Sequence, residues 1–140
     1  MATKIHHLGI AVKDLDAMVT FYQQQLGLEM VQTVAWEELG LKAAVLKVGE
    51  VLVELIEPVA PKGSVAESLE RLVKAQDGGV HHLALEVDDL AGTVERLRTA
   101  GVPLLDQEPR QAAGGQIAWL QEEAASGTLI ELCQAGYRIM

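Results

Sequence analysis

The sequence predicts an α+β fold of two tandem βαβββ modules. Three observations lead there: an internal repeat, strand patterning that recurs with it, and a capped amphipathic helix at the same place in each copy. Residues 6–19 read HHLGIAVKDLDAMV and residues 81–94 read HHLALEVDDLAGTV. At an offset of 75, seven positions agree: His6/His81, His7/His82, Leu8/Leu83, Val12/Val87, Asp14/Asp89, Leu15/Leu90 and Val19/Val94. A second echo follows in the same order. VLVELIEP (51–58) resembles TLIELCQA (128–135), with Glu54 and Glu131 offset by 77. Two matches in order at nearly one offset indicate duplication.

Each copy then reads alike. A strand rich in Ile, Leu and Val spans 4–12, and its counterpart 79–87. Asp14 and Asp89 follow as N-caps, because an Asp side chain accepts free amides of a first helical turn. Leu15, Met18, Val19, Tyr22 and Leu26 share one face of the first helix; Leu90, Val94 and Leu97 do so in the second. Gly27 and Gly101 stop these helices. Three short strands follow each: 28–36, 41–48 and 51–57, then 103–107, 115–121 and 127–134. The chain is expected to be one domain, with module 1 over about 4–58, a linker with a helix at 64–75 over 59–78, and module 2 over 79–140.

Bulk properties narrow the function. The chain has 140 residues, 49% of them hydrophobic, enough for one real core. A formal net charge of −9 repels phosphate backbones, which argues against general nucleic-acid binding. It does not exclude a small anionic substrate, since eleven Lys and Arg can still line one pocket. The single cysteine, Cys133, can form no intramolecular disulfide, and it is read as a small apolar filler. No leader-like or membrane-length apolar run is visible, so a soluble cytoplasmic protein is expected.

Strand parity locates the chemistry. In 4–12 one face carries Ile5, His7, Gly9 and Ala11; in 79–87 one face carries Val80, His82, Ala84 and Glu86. Each holds a His followed by a small residue. Glu54 lies between Leu52 and Ile56 on its face, and Glu131 between Leu129 and Cys133. A carboxylate in an apolar strand is costly to bury unpaired. One divalent cation held by His7, Glu54, His82 and Glu131 would compensate both, if the modules pack face to face about a pseudo-twofold axis. His6 and His81 point toward the helix side and are read as structural. Glu37, Glu38, Glu122 and Glu123 read as solvated loop charges, and Trp36 and Trp119 as packing residues.

The segments HHLGIAVKDLDAMVTFYQQQLGLE, VELIEP, GGVHHLALEVDDL, GVPLLDQEPR and GTLIELCQ resemble the vicinal oxygen chelate superfamily, to which glyoxalase I belongs, and most closely its methylmalonyl-CoA epimerases. The resemblance implies a curved mixed sheet cupping one metal ion, with ligand positions matching His7, Glu54, His82 and Glu131. Some members carry Gln at the position of Glu54; Glu there is equally like glyoxalase I. It further implies epimerisation of (2R)- and (2S)-methylmalonyl-CoA through a metal-stabilised enolate, with Glu131 as one base and Glu54 a candidate for the other. In some epimerases the second base is a glutamate whose aligned position here is Ala43; Glu37, Glu38 and metal-bound water are further candidates. WLQEEAAS (119–126) stands where many epimerases have a His-Pro-Lys run, leaving Lys62, Lys74 and Arg110 as possible phosphate contacts. The implied cofactor is Co, Ni, Zn, Mn or Fe, the implied partners an acyl-CoA and a second copy of the chain. The alternative is a glyoxalase I-like lyase or other isomerase acting on a thiol adduct.

Overall fold

A computed structural model describes all residues 1–140. The strands are β1 (Ala2–Val12), β2 (Glu29–Trp36), β3 (Leu41–Val48), β4 (Val51–Pro58), β5 (Gly78–Val87), β6 (Arg110–Ala112), β7 (Gly115–Trp119) and β8 (Leu129–Gln134). The helices are α1 (Leu15–Thr20), α2 (Ser64–Gln76) and α3 (Leu90–Thr99). The strands form one mixed sheet in the order β2-β3-β4-β1-β5-β8-β7-β6. Neighbours β3 and β4 are antiparallel, while β5 and β8 are parallel. In this order β1 and β5 are neighbours.

The chain forms two compact units, and both β1 and β5 run through each of them. One unit comprises Met1–His7 and His82–Met140. Its core gathers Val87, Leu90, Val94, Leu104, Ala118 and Leu132, with Leu97 of α3 packed against it. The other unit is Leu8–His81. It has two apolar clusters. One joins α1 to the sheet through Leu15, Val12, Leu46 and Leu55; the other joins α2 through Ala66 and Leu69 to Ala11, Ala43 and Ile56.

Duplication extends to the caps. Asp14 Oδ1 accepts from Ala17 N at 3.1 Å, and Asp89 Oδ1 accepts from Gly92 N at 3.0 Å. A second cap comes from the end of each module's last strand. Glu57 Oε1 accepts from Leu15 N at 2.8 Å, and Gln134 Oε1 accepts from Leu90 N at 2.9 Å. Residues 57 and 134 occupy equivalent positions of the repeat, so each helix start is pinned to its own strand by the same device.

Two elements depart from the pattern read in the sequence. Leu26 is 54% exposed rather than on the packed face of the first helix. After Thr20 the backbone widens into a π-helical turn, Phe21–Gln25, in which Leu26 N donates to Phe21 O. The extra residue per turn rotates Leu26 outward, and Leu28 joins the α1 cluster instead. The expected strand at 103–107 is reduced to one bridge, Leu104 with Leu120, and β6 begins at Arg110. Pro103 has no N–H, and Asp106 Oδ2 takes the amide of Trp119 at 2.8 Å that a strand carbonyl would otherwise accept.

Candidate metal centre

Three elements of the first unit bring His7, His82 and Glu131 together. β1 supplies His7 and β5 supplies His82. The parallel register of β5 and β8 places Glu131 opposite Ala84, two residues beyond His82 and on the same face. All three are buried, at 1%, 3% and 4% exposure. His7 Nε2 lies 3.2 Å from His82 Nε2 and 3.1 Å from Glu131 Oε1, and His82 Nε2 lies 3.9 Å from the same oxygen. Trp119 on β7, paired with Glu131, sets its ring against His82 edge-on, with centroids 5.0 Å apart. Its position depends on the Asp106 carboxylate that holds its amide, and Asp106 in turn meets Arg110 Nε at 3.1 Å.

This donor set suits a divalent cation. Two imidazole nitrogens 3.2 Å apart can share at most one proton, and the carboxylate oxygen brings further lone pairs to the same spot. A cation would satisfy all three at once, where a proton satisfies two. His7 and His82 are members of a buried donor cluster of the kind that can hold a metal ion.

Protonation follows the same logic. Burial pushes the His82 pKa down to about 4, against the opposing attraction of Glu131. Burial also lowers that of His6, outweighing the hydrogen bond to the Tyr137 carbonyl. A neutral His82 is ready to ligate at neutral pH without first losing a proton. In the metal-free protein the unfolded imidazole gains its proton below about 6.5, whereas the folded one stays neutral to about 4. Stability should therefore fall as pH drops between those values, by on the order of 3 kcal/mol. Urea titrations of chelator-treated protein should show this fall, and His82→Gln should flatten it; equal slopes in both proteins would refute the assignment.

In the other unit, Glu54 sits in the middle of β4, opposite Val45 in register, and is 5% exposed. Ala43 is 1% exposed and packs beneath Ala66 and Leu69 of α2, so its surroundings are apolar and filled. Glu37 and Glu38 are exposed in the turn between β2 and β3. Lys74 is ion-paired with Glu70, and Arg110 with Asp106; Lys62 is exposed. Cys133 is fully buried, as a small apolar filler would be. Gly114 receives the C-terminal tail: a Cβ there would stand 1.5 Å from Arg138 O.

Sequence reasoning missed three contributors. His6 contacts His7, with Nδ1 atoms 2.8 Å apart, although alternation along β1 assigns them opposite faces. The Tyr137 carbonyl lies 2.9 Å from His6 Nε2. Trp119 was assigned to packing alone. Doubling of the His at 6–7 was the visible signal for the first; a backbone carbonyl leaves none.

A buried imidazole–carboxylate cluster on a mixed eight-stranded sheet is a donor set of the kind that can hold a metal ion. The Glyoxalase/Bleomycin resistance protein/Dioxygenase superfamily model matches residues 6–119, and the chain belongs to that family. It is 35% identical to the uncharacterized protein YqjC of Bacillus subtilis, covering 94% of this chain and 91% of that one. It is 30% identical to the mitochondrial methylmalonyl-CoA epimerase of Homo sapiens, over 94% of this chain and 74% of the relative. Among solved structures, a Streptomyces coelicolor methylmalonyl-CoA epimerase variant in complex with 2-nitronate-propionyl-CoA superposes with a TM-score of 0.83 at 32% identity, covering 100% of both chains. No helix is long and apolar enough to cross a membrane.

Proposed function

We propose that the protein is a metal-dependent methylmalonyl-CoA epimerase. The observation that carries this reading is the convergence of His7, His82 and Glu131 in a chain similar to such epimerases along nearly its full length. We assign Glu54 as the fourth ligand, because duplication makes it the counterpart of Glu131 and because a buried mid-strand carboxylate requires compensation. A divalent cation bound by these four would act as a Lewis acid toward the thioester and carboxylate oxygens of the substrate and offset charge developing there.

The protein's part is proton transfer and dryness. Glu131 takes the C2 proton, leaving the electron pair delocalised into the thioester, and an acid on the opposite face returns a proton to C2. Glu54 is assigned the second role, since the apolar packing around Ala43 offers no base and the exposed Glu37 and Glu38 lack the burial that tunes one. Trp119 and the neighbouring apolar strands exclude water from the His82 side. The native metal is drawn from Co, Ni, Zn, Mn or Fe. A cytoplasmic homodimer acting on a free acyl-CoA completes the proposal.

Deuterium uptake at C2 of methylmalonyl-CoA in D2O is the test, with metal content measured on the same sample. Uptake should be fast in metal-replete protein and fall at least about 100-fold on chelation. Absence of exchange in metal-replete protein would overturn the epimerase, and turnover of a methylglyoxal–thiol hemithioacetal in its place would establish the glyoxalase-like alternative.

A further inference from the structure

His6 is hydrogen-bonded through both ring nitrogens. It is 8% exposed and lies within the first unit, beside His7 and Tyr137. Its Nε2 is 2.9 Å from the Tyr137 carbonyl and its Nδ1 is 2.8 Å from His7 Nδ1. Its ring also meets those of His7 and Tyr137 edge-on, at 5.0 and 5.3 Å.

A carbonyl only accepts, so His6 Nε2 must donate to Tyr137. No carboxylate hydrogen-bonds to the His6 ring, and a neutral imidazole carries one proton, so His6 Nδ1 is left with a lone pair. That lone pair can only accept from His7, so His7 Nδ1 carries the proton of its ring. In a neutral His7 the unprotonated nitrogen is then Nε2, the atom that faces His82 and Glu131. We infer that His6, anchored by the Tyr137 carbonyl, is a positioning residue that locks His7 in its Nδ1–H tautomer and so keeps the Nε2 lone pair aimed into the metal centre.

His81, the repeat counterpart of His6, has its Nε2 2.6 Å from Ser68 Oγ of α2. Duplication thus supplied two adjacent His pairs, and in the first of them the outer histidine orients a ligand. Partners of this kind on the far nitrogen of a ligating His raise its basicity and fix its ring, typically changing metal affinity by about 10–100-fold.

The inference rests on the metal-centre reading, and its test separates the two. Long-range 1H–15N correlation spectra of metal-free, 15N-labelled protein at neutral pH should show His7 as the Nδ1–H tautomer. His6→Leu should lose that preference and weaken Zn2+ binding, measured by chelator competition, by about 10-fold or more. His6→Asn, which keeps an acceptor beside His7 Nδ1, should restore the tautomer and most of the affinity. An Nε2–H tautomer for His7 in the wild-type protein would overturn the lock even if His6→Leu failed to fold. An unchanged tautomer and Zn2+ affinity in His6→Leu would overturn it too. Failure of wild-type protein to bind any of the five candidate metals would instead remove the metal centre, while the tautomer measurement, which needs no metal, still reports on the lock.

Discussion

Glu131→Gln is expected to abolish C2 proton exchange while leaving the metal-free fold intact. The carboxylate is 4% exposed and its Oε1 stands 3.1 Å from His7 Nε2. Glutamine has nearly the same shape but carries no charge and is a far weaker base and ligand. Loss of a general base alone costs about 10²–10⁴ in rate, and loss of an anionic ligand adds to it. Exchange should drop by at least about 1,000-fold, and the metal dissociation constant should rise with it. The stability effect has the opposite character. A buried charge is expensive to desolvate, so neutralising it should leave the metal-free protein as stable as before or slightly more so. Metal binding stabilises a fold by an amount that grows with the logarithm of the ratio of ligand concentration to dissociation constant. The rise in Tm expected of the wild type on adding Zn2+ should therefore vanish in Glu131→Gln. A variant that keeps both the Tm rise and the exchange would exclude Glu131 from the centre.

The fold was legible because duplication wrote it twice. His7 and His82 are each one buried histidine on a strand, a common and uninformative feature. At equivalent repeat positions, each followed by a small residue, they point to one shared site. The burial of Glu131 was legible by parity, since Leu129 and Cys133 flank it on the same face and all three are buried. What the sequence hid has specific causes. Leu26 was misplaced because a 3.6-residue period cannot register the π-helical turn before it. The strand at 103–107 failed because Asp106 competes through its side chain for the amide of Trp119, a contact between residues 13 apart in sequence. The contact of His6 with His7 was not legible because alternation is a rule for an ideal strand, and in β1 the ring is held by the chain's far end, through Tyr137. Contacts of that sequence separation leave no local trace.

That far end gives the second large effect. Gly114→Ala is expected to detach the C-terminal tail. A Cβ at this position would lie 1.5 Å from Arg138 O and 2.7 Å from Arg138 C. Both are backbone atoms, so no rotamer change relieves the clash, and Arg138 N must give up its 3.1 Å bond to Gly114 O. Ile139, 3% exposed, would leave its site with the tail. The cost should be about 1–3 kcal/mol, as for other overpacked sites, read by urea unfolding. Gly101→Ala is the control. Gly101, just past the C-cap of α3, has a positive φ of 79°, but nothing stands within 4 Å of its Cβ, so only the local backbone penalty applies. The two substitutions should part further in metal binding. Moving Tyr137 withdraws the carbonyl that holds His6 Nε2, and His6 then no longer commits its Nδ1 to accepting from His7. Gly114→Ala should thus raise the Zn2+ dissociation constant by about the 10-fold expected of a lost outer partner, while Gly101→Ala leaves it unchanged. Equal Zn2+ affinity in both variants would show that the tail stabilises the fold without orienting the ligand, and would break the link drawn between a glycine in the β6–β7 turn and a histidine on β1.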